Sequence, residues 1–330
     1  MPAEWEKHEA TWLSWPKDPT TFPPGKLEDV EKIYLRMIEE LSRGERVDLL
    51  VDDQKTQDAI SSRLRSTNNV VFHQIRTADV WMRDYGPIFI KNATLAATKW
   101  VFNAWGNKYD DLKEDNNSGM KVAALVAKSI FEPRIVLEGG SIDVNGQGTC
   151  LTTRQCLLNK NRNPELDQME IEERLREFLG ITNVIWLDSG VAGDDTDGHV
   201  DDIARFVNHN TVLCMTEEDV EDDNYDALKA NLELLRYAKD QDGKELKVIG
   251  VQMPARLDAP DGRLPASYAN FYIGNAVVLV PIFNSQNDSK ALETMRRYFP
   301  DRKVVGIECG PLVYGFGGIH CVTQQQPSVP

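Results

Sequence analysis

Four times along this chain, a tight turn rich in asparagine and glycine separates two apolar, β-branched runs, and an amphipathic stretch and another short apolar run follow. The turns fall at Lys91-Asn92, Asn145-Gly146, Asn208-His209-Asn210 and Gly274-Asn275. Asparagine and glycine tolerate the positive φ that short hairpin turns need, so such turns between strand-like runs predict β-hairpins. The first hairpin spans 85–99, followed by a helix over 118–130 and a strand over 134–137. Behind the second come a helix over 164–179 and a strand over 183–187; behind the third, a helix over 222–239 and a strand over 246–251. The fourth leads into a helix over 288–298 and a strand over 303–307. Apolar residues recur three and four apart in each helical stretch, which places them on one face.

A fifth unit assembles from the two ends of the chain. A final strand over 320–324 pairs with 11–15, and a helix over 27–42 and a strand over 46–51 complete the set, leaving 54–74 outside the repeat. Five ββαβ units of similar size predict an α/β chain closed into a radial array with pseudo-fivefold symmetry, because closure removes exposed sheet edges. The alternative is an ordinary mixed α/β sheet with coincidental ordering. No low-complexity tract, Ser/Gly linker or composition change divides the chain, so 1–330 reads as a single domain.

Charge and cysteine content narrow the setting. A formal charge of −15 repels phosphate, which argues against nucleic acid and anionic membranes and suits a cationic ligand. No apolar run approaches a membrane span, and the first residues lack the basic and apolar regions of a secretory signal. Five cysteines, odd in number and without CxxC spacing, point to a reducing cytoplasm rather than to a disulfide framework or structural zinc. The composition is compatible with a homo-oligomer.

The unusual polar residues gather in the loops that precede the hairpins: Trp81-Met82-Arg83-Asp84, Leu137-Glu138-Gly139-Gly140-Ser141, 197–202 with His199, Asp201 and Asp202, 265–270 ending in Asn270, and Gly317-Gly318-Ile319-His320-Cys321. If the units are equivalent, these loops converge at one end of the array, where a rigid scaffold usually carries its site. Cys321 follows a glycine-rich turn that exposes a thiol, and His199 is the natural proton-transfer partner for it. Read singly, each is more often a buried hydrophobe or a satisfied polar residue.

Asp84, Glu138 and Asp201 indicate the electrophile. Anions near a developing oxyanion raise its energy, and they also raise the pKa of a thiol. A guanidinium substrate removes both difficulties, because it is planar, cationic and matched to forked carboxylates. Asp84 and Asp201 would then hold its nitrogens while Glu138 orients His199. Three alternatives stand beside this reading: Asp84 paired with neighbouring Arg83, Glu138 and Asp201 as caps of glycine-rich turns, and a metal site built from His199, Asp201, Asp202 and Glu138. No HExxH or paired-histidine motif accompanies the last.

The motifs together resemble those of the agmatine deiminase and bacterial-type peptidylarginine deiminase family, among the guanidino-group-modifying enzymes. They run from Glu4-Trp5-Glu6-Lys7-His8-Glu9 through Trp81-Met82-Arg83-Asp84, Glu138-Gly139-Gly140, Cys156-Leu157-Leu158-Asn159, Gly198-His199-Val200-Asp201 and Asn270-Phe271-Tyr272 to Gly317-Gly318-Ile319-His320-Cys321. The resemblance implies a five-bladed α/β propeller, the pentein fold. It implies Cys321 as nucleophile, His199 and Glu138 as its catalytic partners, and Asp84 and Asp201 as guanidinium ligands, without metal or organic cofactor. Trp81 and Asn270, within the same motifs, are further substrate-binding candidates. The activity implied is hydrolysis of agmatine to N-carbamoylputrescine and ammonia; free arginine and peptidyl-arginine are alternative substrates, and a non-catalytic guanidino or polyamine binder is the alternative class. Agmatine deiminases usually carry Asn where this chain has Gly318 and Gly where it has Phe316. Trp5, Trp12, Trp15, Trp81 and Trp105 suit an apolar, cationic tail.

Overall fold

The four predicted hairpins form, and each gains a third strand parallel to its second. In the computed structural model, which describes residues 1–260 and 262–329, Ile88–Lys91 and Leu95–Thr98 pair antiparallel and Ile130–Phe131 lies parallel to the latter. Asp143–Val144, Thr149–Thr153 and Asn183–Leu187 repeat the arrangement. So do Ala204–Asn208, Thr211–Thr216 and Lys247–Gln252, and Tyr272–Ile273, Val277–Ile282 and Lys303–Glu308. A fifth sheet joins the chain ends: Gln324–Pro327 runs antiparallel to His8–Ser14, and Arg46–Val51 runs parallel to it. The architecture is mixed α/β.

The crossover helices follow the apolar spacing. Gln168–Leu179 begins at a reciprocal capping box between Asp167 and Glu170 and ends at Gly180, whose φ of 72° closes the last turn. It buries Ile171, Leu175 and Leu179, four apart and so on one face. Asp288–Tyr298 buries Ala291 and Met295 in the same way. The central strands are buried on both faces: all of Thr149–Thr153 and most of Val277–Ile282 are buried, as expected where helices cover one face and neighbouring sheets the other.

Two predicted strands are corrected. The run over 134–137 forms only an isolated bridge, Val136 to Val101. Pro133 cannot donate to a ladder and Arg134 turns the chain at φ 61°, so the parallel strand ends earlier, at Ile130–Phe131. The final strand begins at Gln324 instead of His320. Before it, Thr323 N–H donates to the His320 carbonyl at 3.1 Å, and the Thr323 hydroxyl donates to the Ile319 carbonyl at 3.0 Å. These bonds curl 319–323 into a turn, so Cys321 sits on a bend. The segment 54–74 supplies a helix, Gln54–Arg63, and a strand, Val70–Gln74, which adds a fourth strand beside Arg46–Val51. Among the described residues, no helix is long and apolar enough to cross a membrane.

Candidate active site

The hairpin-leading loops fold into short, tight segments that can hold side chains rigidly. Met82–Tyr85 is one helical turn, and Gly139–Ser141 and Val200–Asp202 are single 3-10 turns. They meet around Gly140. A methyl group there would lie 2.6 Å from His199 Nδ1, 2.9 Å from Asp84 Oδ1 and 3.0 Å from Asp201 Oδ2. Only a residue without Cβ lets three polar side chains from separate loops approach so closely.

Cys321 stands on the adjoining bend. Its Sγ lies 3.9 Å from Asp201 Oδ2 and accepts a hydrogen bond from Asn270 Nδ2 at 3.1 Å. Asn270 Oδ1 accepts from the backbone N–H groups of His320 and Cys321, at 2.8 and 3.3 Å. Asn270 therefore clamps the turn that carries Cys321 and is not among the residues lining the cavity. A Cβ at Gly318 would come within 2.5 Å of Asn270 Oδ1, so glycine at 318 makes room for that clamp. Burial pushes the Cys321 thiol pKa well up, and the charges of Asp201, Asp202 and Asp84 add to the shift.

Asp84 accepts from Trp105 Nε1 and Gly140 N–H, both at 3.0 Å. Burial lifts its pKa to about 6, with His199 acting in the opposite direction. Arg83 turns away from it, toward Glu4 at 3.4 Å and Gln325 at 2.7 Å, so the neighbour ion pair does not form. His199 Nδ1 lies 3.8 Å from Asp84 Oδ1, and neither ring nitrogen has a hydrogen-bond partner. Burial would lower the His199 pKa, but Asp84, the Cys156 thiol and Glu138 outweigh it and hold the pKa well above the usual histidine value. Such a histidine stores a proton at neutral pH.

Glu138 caps no turn through its side chain. Its Oε1 accepts from Arg162 Nε at 2.6 Å, and its Oε2, fully buried, is unpaired. One ligand atom each from Glu138, Cys156 and His199 lies within 4.8 Å of the others. Among the described residues that trio is the metal-competent cluster, and Asp201 and Asp202 are not in it. Asp201 instead pairs with His320, its Oδ1 remaining unpaired. Arg162, Cys156, His320 and Glu4 were not singled out as site residues. Cys156, His320 and Glu4 lie inside the motifs given above and Arg162 three residues beyond one, but their side-chain partners are distant in the chain.

A cavity of about 350 Å³ opens onto Cys321 and Asp84. Trp81, Trp105, Tyr109, Tyr314 and Phe316 give it apolar walls, and Asp18, Asp79, Asp111 and Asp195 carry its acidity outward. No lysine or arginine lines it. Of the other tryptophans, Trp12 and Trp15 belong to the core and Trp5 packs edge-on against His209.

Comparison with known proteins finds relatives along nearly the whole chain. Residues 1–327 match the family of Porphyromonas-type peptidyl-arginine deiminases. A protein of Legionella pneumophila (strain Paris), provisionally named an agmatine deiminase, is 38% identical over 330 residues, covering 99% of this chain and 95% of its own length. The agmatine deiminase of Enterococcus faecalis superposes with a TM-score of 0.92 at 33% identity, over 100% of this chain and 96% of that one. An agmatine deiminase variant from C. jejuni with substrate bound gives 0.88 at 32%, over 100% and 96%. DDAH from Pseudomonas aeruginosa, only 10% identical, shares the fold at a TM-score of 0.56, over 97% of this chain and 99% of that one.

Proposed function

We propose, for a chain that belongs to the Porphyromonas-type peptidyl-arginine deiminase family, that it is an agmatine deiminase: a hydrolase that converts agmatine and water to N-carbamoylputrescine and ammonia, a step towards putrescine. The observation that carries the choice of substrate is the cavity. Five carboxylates, Asp18, Asp79, Asp84, Asp111 and Asp195, are among its lining residues and no lysine or arginine is, although Lys108 approaches Asp195 to 3.6 Å from outside the lining. Agmatine is cationic at both ends with an apolar chain between, so guanidinium, methylenes and ammonium each meet a matching wall. Free arginine would bring its own carboxylate against those anions, with no lysine or arginine in the lining to receive it. A peptidyl-arginine lacks that carboxylate, but its neutral backbone would leave the outer acids unmatched.

Cys321, His199 and Glu138 are the catalytic residues of this reading, and Asp84 and Asp201 are the guanidinium ligands. The bound cation offsets the carboxylates that hold the Cys321 thiol protonated; the thiol gives its proton to solvent, since His199 is already charged, and the thiolate attacks the central guanidinium carbon. His199, charged in the resting site, protonates one nitrogen of the tetrahedral adduct, and the C–N bond breaks to release ammonia. An amidino group remains on sulfur. His199, now neutral, takes a proton from water, whose oxygen attacks the same carbon and displaces the thiol to give the ureido product. Glu138 stabilises the charged ring through its unpaired oxygen, with Arg162 fixing the other. Trp81 forms part of the wall along the methylenes. No organic cofactor enters the cycle.

The five sheets read as blades of a closed propeller, the terminal strand Gln324–Pro327 joining the first blade to the last segment of chain, and 1–330 acts as one catalytic domain. Buried, unbridged cysteines at all five positions suit a cytoplasmic enzyme. Ammonia release measured side by side on agmatine, free arginine and a blocked arginine peptide tests the assignment. Agmatine is expected to be turned over with the highest kcat/KM. Preference for the peptide or the free amino acid would replace agmatine as substrate, and ligand binding without any turnover would make the chain a guanidino-compound binding protein.

A further inference from the structure

Cys156 is a buried thiol to which the reaction gives no task, yet it faces the two groups on which proton transfer depends. It lies in the single helical turn Arg154–Leu157, its N–H held by Thr153 Oγ1 at 3.1 Å. Ligand atoms of Glu138, Cys156 and His199 lie within 4.8 Å of one another. The residues are 0%, 0% and 1% exposed, and Glu138 Oε2 and both His199 ring nitrogens lack hydrogen-bond partners. Buried polar atoms are rarely left without partners unless something else binds them.

We propose that Glu138, Cys156 and His199 form a site for a thiophilic divalent cation, suited to Zn²⁺, whose occupation silences His199. One sulfur, one imidazole nitrogen and one carboxylate oxygen form a donor set that favours zinc over magnesium or calcium. In a tetrahedral zinc site these donors lie roughly 3.3–3.8 Å apart, given bond lengths of about 2.0–2.3 Å. The present spread, at most 4.8 Å, exceeds that spacing by about 1–1.5 Å, so the donors would have to draw together on binding. Arg162 already holds the other oxygen of Glu138 at 2.6 Å, as outer partners hold metal-binding carboxylates. Its positive charge is offset by Asp197, 2.7 Å away. The fourth position would take water.

The ion would occupy a ring nitrogen that must carry and release the proton, and it would place a dication beside the guanidinium. Metal and substrate would therefore exclude each other, and the inhibition would be reversed by a chelator. Binding displaces the thiol proton, so it strengthens as pH rises. This site stands apart from the choice of substrate, because it is read without turnover.

The test uses the full-length protein freed of metal and titrated with Zn²⁺ in a calorimeter and with Co²⁺ in a spectrophotometer. One ion per chain is expected. In Cys321→Ser, Co²⁺ should still produce a thiolate-to-cobalt charge-transfer absorption, and Cys156→Ser should abolish it and weaken Zn²⁺ binding at least about tenfold. Zn²⁺ affinity unchanged in Cys156→Ser would overturn the site. So would a charge-transfer band that depends on Cys321 instead of Cys156. If Cys156→Ser does not fold by circular dichroism, the Cys321→Ser spectrum decides alone, and absence of the band there rejects the proposal.

Discussion

His320 Nδ1 lies 2.6 Å from Asp201 Oδ2, and the opposite ring nitrogen lies 2.8 Å from Glu4 Oε2. The ring therefore bridges two carboxylates that lie far apart in the chain. Burial would raise the Asp201 pKa, but the His320 bond and charge, with His199 and Arg205, outweigh it and hold the carboxyl below its usual range. Asp201 stays ionised at the side of Cys321, and one oxygen remains available to a cation.

His320→Asn removes the bridge to Glu4 and frees the Asp201 rotamer. A loss of about 10- to 100-fold in kcat/KM for agmatine is expected, carried mainly by KM. Steady-state kinetics checks it. A variant with a lowered melting temperature but unchanged KM would reduce His320 to a structural role.

Cys321→Ser exchanges a polarisable thiol for a hydroxyl of far higher pKa. Turnover should fall by about 10⁴-fold or more, while agmatine still binds, because the carboxylates are untouched. Calorimetry on the variant reads the second half of this expectation. Residual turnover near the parent rate would remove Cys321 as nucleophile.

Binding should weaken in acid. Burial raises the Asp84 pKa from 3.8 to about 6, so below that pH the carboxyl carries a proton that must leave before it can pair with a guanidinium. Agmatine stays doubly charged throughout. Affinity for Cys321→Ser is therefore expected to be level above pH 6 and to fall towards tenfold per pH unit below it. Asp79 in the same cavity is also lifted to about 6 by burial; if its proton must leave too, the fall exceeds tenfold per unit, and Asp79→Asn should bring it back to the limit set by Asp84 alone. Affinity constant from pH 5 to 7 would contradict the role given to Asp84.

Gly140→Ala places a methyl 2.6 to 3.0 Å from His199, Asp84 and Asp201. Displacements approaching 1 Å at reacting groups can cost about 10²-fold in rate, and at least that loss of kcat/KM is expected with the fold retained by circular dichroism. Near-parent activity would mean that the three side chains relax without consequence.

Phe316 adopts φ 68° at the cavity mouth and is 40% exposed. Phe316→Gly relieves left-handed strain of about 1–2 kcal/mol, offset in part by about 0.5–1 kcal/mol of added backbone freedom in the unfolded chain. Stability should change little. KM for agmatine should rise several-fold as the wall recedes, with bulkier guanidino compounds gaining relative to it; unchanged KM values would confine Phe316 to the backbone turn.

The periodicities that build strands and helices are local, and the amino-acid order placed most of them, though not the strands expected over 134–137 and from His320. Asn145-Gly146 marks a hairpin because glycine readily takes the φ of 73° found at Gly146, and Asp288–Tyr298 shows its apolar face at a spacing any helix must obey. The residue types Cys321, His199, Asp84, Glu138 and Asp201 were likewise legible, since their chemistry narrows the ligand to a cation. Their partners were not. That Arg83 answers Glu4 instead of Asp84, that Arg162 grips Glu138, and that His320 bridges Glu4 and Asp201 all depend on contacts across up to 316 residues of chain. Hydrogen bonds and ion pairs act over a few ångströms, so the choice of partner waits on the tertiary fold. It alone decides which buried groups meet, and which are left unpaired.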